Sequence, residues 1–417
     1  MTQASRRTGF RGRQPAVAFV MVTVLIDVIG FGLILPVLPT VIAGFVDGRE
    51  SQAWWYGLIS AGFGLAQFLF SPLLGALSDR FGRRPLLLVG VAGLGIDFLL
   101  TALAPALWLL VLARLIGGAL SANVAVAQAY IADITPPELR ARRFGMIGAA
   151  FGIGFIVGPM IGGLLGSGDP RLPFFVAAGL AGVNWLYGLF VLPESLPPER
   201  RHGVSWAKTN PFAALTKLTQ LRGIGVLVAA IALSGLAQFI LHSTWVLSNE
   251  LRFGWGPREN GISLFAVGIV AVVVQGGLLG RLIKLLGIRR LALVSLAWGT
   301  VAYVLYGLAT AGWMMVALIL FNFLSFASNS AFQALVSEAA DAHVQGATMG
   351  ALSSLNSLMM VIAPLIGAAV LASVSHLPPS DWRAGSTFFL SAALSAAAFV
   401  LALRQLGRAP RVATASS

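Results

Sequence analysis

Twelve apolar stretches, most of them about 20 residues long, divide the chain from end to end. They fall at 16–39, 57–77, 86–104, 107–130, 144–166, 173–192, 224–246, 261–283, 291–311, 313–336, 347–373 and 385–403. At about 1.5 Å of rise per residue, a helix of this length crosses the ~30 Å hydrocarbon core of a bilayer. Backbone polar groups in lipid must bond within the protein, which leaves helices or a closed barrel. A barrel strand would read as ~10 residues of alternating polarity, and runs such as Leu86 to Ala104 do not alternate. Only 10% of the 417 residues are charged, against about 25% in a soluble domain, so a water-facing surface of this size could not be covered. The expected fold class is an all-α membrane protein with 12 transmembrane helices.

The net charge of +13 would suit a nucleic-acid binder, but its distribution argues otherwise. Of 28 Lys and Arg, 22 lie in segments on the N-terminal side of the bilayer. Five lie on the other side (Arg49, Arg171, Arg252, Arg258, Arg383), and Arg114 stands inside a span. Such a bias marks the cytoplasmic side. It predicts both termini inside a bacterial-type inner (plasma) membrane, with the lipid bilayer and not nucleic acid as partner. The first stretch is too long for a signal-peptide core and lacks an obvious cleavage site, so it reads as a retained helix.

The absence of cysteine excludes disulfides, thiolate metal sites and cysteine nucleophiles. Of four histidines only His242 falls in a span; His202, His343 and His376 fall in loops. There is no His/Glu metal spacing, no Gly-x-Ser-x-Gly turn, no phosphate loop and no dinucleotide fingerprint, so an enzyme is not expected.

An internal repeat appears at an offset of 205 residues. It relates Gly75 to Gly280, Gly82 to Gly287, Asp133 to Glu338, Gly145 to Gly350, Pro159 to Pro364 and Gly162 to Gly367. Two parallel six-helix repeats place a substrate site near the midplane between them. The expected units are residues 1–192, a polar proline-bearing cytoplasmic linker at 193–222, and residues 223–417.

Three ionisable residues lie within spans: Asp27, Asp97 and Arg114. A guanidinium at membrane depth costs about 2.5 kcal/mol or more unless it is paired or hydrated. Snorkelling to an interface is the plainer alternative for Arg114, which stands about seven residues into its span, roughly 10 Å by helical rise. At the 205-residue offset these three become Ala232, Ala302 and Ile319, whereas Gln128 maps to Gln333 and Asn123 to Ser328. Proton handling is therefore expected in the first half and a neutral pocket in the second. Candidate contacts are Gln67, Asn123, Gln128, Gln238, Phe239, His242, Gln275, Asn329, Phe332 and Gln333, with Trp245, Asn322 and Asn356 beside them. Each taken singly is more often a helix-packing residue than a ligand contact.

The loop Gly75-Ala-Leu-Ser-Asp79-Arg80-Phe-Gly82-Arg83-Arg84 resembles the loop motif of the major facilitator family. In that family it latches the cytoplasmic side, which implies that Asp79 faces a helix N-terminus of the other half and that the arginines pair with Asp133. The second copy is degraded, with Lys284 in place of Asp79. Gly154-Phe-Ile-Val-Gly158-Pro159-Met-Ile-Gly162-Gly163 is similar to the glycine-proline motif of proton-driven antiporters. Small residues at this spacing also serve ordinary close helix packing. Arg114 stands where the family has an arginine implicated in proton coupling.

The run Asp27 to Pro39, the run Ser78 to Pro85, Phe144 to Gly163 and Thr244 to Trp255 look like tetracycline exporters of the twelve-helix drug/proton antiporter group. That group exchanges a metal–tetracycline complex for protons, and its helix-eight histidine and helix-nine aspartate correspond here to Ala271 and Gly299. The resemblance therefore implies proton-coupled export of small amphipathic compounds by a monomer with no resident cofactor. A divalent metal could travel with the substrate, and tetracycline itself is one option among several. Proton symport of a metabolite is the alternative.

Overall fold

The computed structural model describes residues 14–121, 123–201, 203, 225–339 and 345–408. Most of the linker, both chain ends, His202 and His343 lie outside these, as do the side chains of Glu338 and residue 350. The described residues form twelve helices long and apolar enough to cross a membrane. They are Val17–Ile34, Arg49–Phe81, Arg83–Leu103, Leu107–Ile134, Glu138–Gly166, Leu172–Val191, Gly225–Phe253, Pro257–Leu286, Ile288–Leu308, Gly312–Val336, Leu352–Val374 and Trp382–Gln405, numbered below as the first to twelfth spans.

Several helices run past the apolar stretch that announces them. The second begins at Arg49, just after Gly48 in a left-handed conformation (φ 80°), eight residues ahead of the hydropathy boundary. The seventh continues to Phe253, so Arg252 is not a loop residue. It is buried in the last helical turn and donates to the carbonyls of Tyr306 at 3.0 Å, Gly307 at 2.9 Å and Ala309 at 2.6 Å, where the ninth span ends. Helix C-termini leave carbonyls unpaired and favour cations. The first span stops sooner than its hydropathy suggests, because the chain turns at residues 35–37 and re-enters a short helix, Leu38–Ala43, with Pro39 in its first turn.

The two six-helix halves repeat one another in detail. Gly82 and Gly287 each end one helix and start the next, with φ of 107° and 72° and ψ of 157° and 156°. A side chain would be strained there, so both short basic turns depend on glycine. The fourth helix ends at Leu120 and resumes at Asn123, and the tenth tightens to a 3-10 helix over Asn322–Ala327 at the matching place. The eighth span has a π-helical turn at Val273–Leu278, where the second carries Pro72. Such departures from α geometry mark hinges and functional segments.

The halves meet chiefly through the second span against the eleventh and the fifth against the eighth. Call the end bearing the Gly82 and Gly287 turns the basic end, and the opposite one the far end. The contacts lie toward the far end. A methyl group built on Gly57 would clash with Ala368, and one on Gly64 would lie 3.0 Å from the Met360 carbonyl. One on Gly163 would lie 2.9 Å from the Gly261 Cα, and one on Gly268 would strike Ile156. An apolar cluster spans both halves there, joining Leu33, Val37, Tyr56 and Ile59 to Leu247, Leu371 and Ala372. At the basic end Gly75, Gly145, Gly148, Gly152, Gly276, Gly277 and Gly280 all face open space. Among the described residues the bundle is closed at its far end and parted at its basic end.

Candidate functional site

Arg114 does not snorkel. Its guanidinium forms an ion pair with Asp97 of the third span, and both side chains are sealed, at 5% and 0% exposure. Thr101 adds weaker hydrogen bonds to each partner at 3.4 Å. Asp97 rests against Gly117, where any side chain would displace it. The rings of Phe63 and Phe98 lie 5.9 and 5.8 Å from the guanidinium carbon, within cation–π reach. The Arg114 Nε has no partner. A buried charge is tolerated when it is paired in this way.

Asp27 stands at mid-bundle on the first span and is only partly buried. The Asn123 amide of the fourth span donates to its carboxylate at 2.8 Å. Asn123 lies so close to Gly90 of the third span that a methyl there would collide with its amide oxygen. One turn away, Thr23 donates to Asn184 of the sixth span at 3.1 Å, and the Asn184 amide nitrogen is unpartnered. Asp27 is thus a carboxylate with neutral partners, whereas Asp97 is tied to a cation.

At the basic loop, Arg83 gathers the motif. It pairs with Asp79 at 2.6 Å and Asp133 at 3.2 Å and donates to Ser78. Arg84 donates to the Leu189 carbonyl at 2.7 Å, and Arg80 lies over the Phe81 ring at 5.1 Å. The expectation that an arginine meets Asp133 holds in geometry. Asp79, however, pairs within its own half and is half exposed; the start of the eleventh span, on the other half, lies outside the residues whose side chains are described. Glu194, just past the sixth span, was not singled out from sequence. It accepts from the backbone N–H of Arg83 at 2.9 Å and Arg84 at 3.3 Å, capping the third helix. An acid placed immediately after a span and opposite an arginine loop was the signal available.

The glycine-proline segment has two working faces. Gly154, Gly158 and Gly162 press onto the first span: a methyl on Gly158 would lie 2.8 Å from the Gly32 Cα, and one on Gly162 would strike the Leu33 backbone. Gly163 and the Pro159 carbonyl instead meet Gly261 of the other half. Packing within a half and packing between halves thus share one helix, and Pro159 sits at their junction.

Of the second-half candidates, Gln275, Asn329, Gln333 and His242 are exposed and Gln238, Phe239 and Asn356 partly so. Gln333 donates to Asn329 at 3.1 Å. Amides left facing hydrocarbon would be costly, so at these positions each calls for water or a polar partner. Gln275 lies on the π-helical turn. In the first half Gln128 is exposed, Asn123 is committed to Asp27, and the Gln67 carbonyl oxygen is buried without a partner.

Two aromatics must be withdrawn from the pocket. Phe332 is 2% exposed and belongs to the apolar core of its half. Trp245 donates to Ser263 at 3.0 Å and packs edge-on against Tyr306 and Phe388. Asn322 is likewise buried, with its amide oxygen unpartnered. Aromatic residues at helical spacing serve either a core or a pocket, and sequence alone does not separate the two. A groove of about 450 Å³ between the ninth, tenth and twelfth spans is lined by apolar side chains such as Leu293, Trp298 and Phe399. It has no group to orient a polar ligand.

A bundle of two six-helix repeats, parted at one end around a mid-bundle carboxylate, defines a membrane transporter of the alternating-access type. The chain matches the model of the Major Facilitator Superfamily over residues 20–364. It is 37% identical to the class C tetracycline resistance protein of Escherichia coli over 379 residues, 90% of this chain and 94% of that one. It is 38% identical to the class G tetracycline resistance protein of Vibrio anguillarum, covering 82% and 86% of the two chains. The crystal structure of the nucleoside transporter NupG superposes with a TM-score of 0.74 at 14% identity, over 94% of this chain and 98% of that one. This chain belongs to the Major Facilitator Superfamily, in the branch that holds the tetracycline resistance proteins.

Proposed function

We propose that the chain exports small amphipathic organic molecules, tetracycline-like compounds among them, in exchange for protons entering by the same central site. The observation that carries this reading is Asp27. It is an acid held by a neutral amide at mid-bundle and partly open, between one closed and one parted end. By the charge bias the parted end is cytoplasmic, so the described state receives substrate from inside the cell. The proton affinity of a carboxylate responds to its hydration and to its hydrogen-bond donors. Both change at Asp27 when the cleft alternates. Protonation from outside and substrate from inside then favour opposite states, which is the requirement for exchange. Asp97 and Arg114 form the second part of the coupling set, since a proton on Asp97 would release the guanidinium. The exposed amides of the second half would orient the cargo, with or without a divalent metal travelling alongside. The protein acts as a monomer in the plasma membrane with both termini cytoplasmic.

Inverted vesicles carrying the chain, with an acid interior, test this reading. Tetracycline or a fluorescent amphipathic dye is expected to accumulate, to leak out on adding a protonophore, and to accumulate far less in Asp27→Asn. Accumulation to the same final gradient without a pH difference would end the antiport reading. Full pH-driven accumulation in Asp27→Asn would remove Asp27 from the coupling role.

A further inference from the structure

The far end is closed by glycine contacts and apolar side chains, with a polar bridge between halves set among them. The Gln52 amide nitrogen of the second span donates to the Glu250 carboxylate of the seventh at 2.9 Å, and to the Pro39 carbonyl beyond the first span at 3.1 Å. Gln52 is 5% exposed, and Glu250 is partly buried three residues before the seventh span ends. The charged and titratable groups that face Glu250 are Arg49 and Tyr56, both on the second span. From the first span's side comes the Pro39 carbonyl, and from the eleventh come Leu371 and Ala372 in the shared apolar cluster. A cation nearby, one donor contact from a buried amide that is itself anchored on the Pro39 carbonyl, and partial exposure thus converge on one acid that bridges the two halves where they must separate.

We infer that Glu250 is a second proton-binding residue of this transporter, and that its protonation loosens the Gln52 bridge and lets the far end open. The inference rests on the proton-exchange reading above and adds to it a residue outside the central site. A hydrogen bond to an ionised carboxylate is roughly twice as strong as one to a neutral acceptor. Neutralising Glu250 leaves the bridge in place but weaker, while Arg49 loses the countercharge that draws it toward the seventh span. Acid arriving from the far side then favours the state in which that side is open, the state from which a proton reaches Asp27.

The absence of cysteine from the chain makes a direct readout available. Leu371→Cys, in the cross-half cluster, is labelled with a membrane-impermeant maleimide applied to the far side of oriented vesicles. The outside pH is stepped from 8 to 5.5, and a fixed exposed cysteine corrects for thiol reactivity. Corrected labelling is expected to rise about tenfold toward acid with Glu250 intact, a factor in line with the difference between charged and neutral hydrogen bonds. It should be high and independent of pH in Glu250→Gln, high in Gln52→Leu, and pH-dependent again in Glu250→Asp. Flat labelling in the parent chain, or an unchanged pH response in Glu250→Gln, overturns the proposal. Because labelling needs no cargo, the two readings fail separately. A pH-dependent far end without pH-driven accumulation would sink exchange and keep the latch, and the reverse result would sink the latch alone.

Discussion

Arg114 and Asp97 are the two residues whose charges cost most to place where they are. Each ion loses several kcal/mol of hydration on burial, and a pair recovers this only with good geometry. Here Thr101, Phe63 and Phe98 complete the cage, yet the Nε–H finds no partner among the described residues. Asp97→Ala strands the guanidinium, and a loss of about 3–5 kcal/mol is expected, seen as a lower unfolding midpoint in detergent. Asp97→Leu combined with Arg114→Leu should restore most of that stability, because an apolar pair of similar volume often replaces a buried ion pair at little cost. The double variant is nevertheless expected to lose pH-driven accumulation. If it kept both stability and transport, the pair would be scaffold only. Asp27 differs in having Asn123 and no cation, so Asp27→Asn is expected to leave the unfolding midpoint nearly unchanged while transport falls.

At the scale of single elements the fifth span repays attention. Its glycines at 154, 158 and 162 hold one turn's spacing against the first span, whereas Gly148, further along, meets nothing. Gly162→Leu must push aside the Leu33 backbone, and overpacking of that kind costs about 1–3 kcal/mol or more. Gly148→Leu on the same helix should leave stability almost untouched in the described state. Comparing the two unfolding midpoints checks whether the motif is a packing face or simply glycine-rich.

The same helix shows what could be read beforehand. A span is a local property, since twenty apolar residues must become helix in lipid, and the repeat needs only a constant offset. The buried acids announced themselves because charge is costly in such company, and the Arg83–Asp133 pair was expected from the loop motif. What was illegible is tertiary. Gln52 and Glu250 stand 198 positions apart and are ordinary residues at helix ends until the fold joins them. Phe332 and Trp245 carry the same side chains whether they face a core or a cleft, and the 3-10 turn at Asn322–Ala327 follows no proline or glycine. Arg252 looked like a loop charge because hydropathy falls before its helix ends.

For the whole molecule, the far-end contacts imply the geometry of the opposite state. The fifth and eighth spans run antiparallel, with Gly163 on Gly261 and, seven residues on in opposite directions, Ile156 on Gly268. Eight residues beyond those lie Gly148 and Gly276, which now face open space. If the halves rock about this line, closing the basic end brings Gly148 against Gly276, or against Gly277, since the π-helical turn adds a residue to the register. Both helices present only hydrogen there, so they can approach as closely as Gly163 and Gly261 do at the other end. A chain carrying Gly148→Cys and Gly276→Cys is therefore expected to form a disulfide only in the outward-open state, since that bond needs Cα atoms roughly 4.4–6.8 Å apart. The cross-link should form faster under outside acid, arrest transport, and release it on reduction. Gly148→Leu should keep the protein folded but hold the basic end open, with accumulation lost and far-end labelling slowed. Free transport by the oxidised pair, or by Gly148→Leu, would show that the halves do not close along the line joining the fifth and eighth spans.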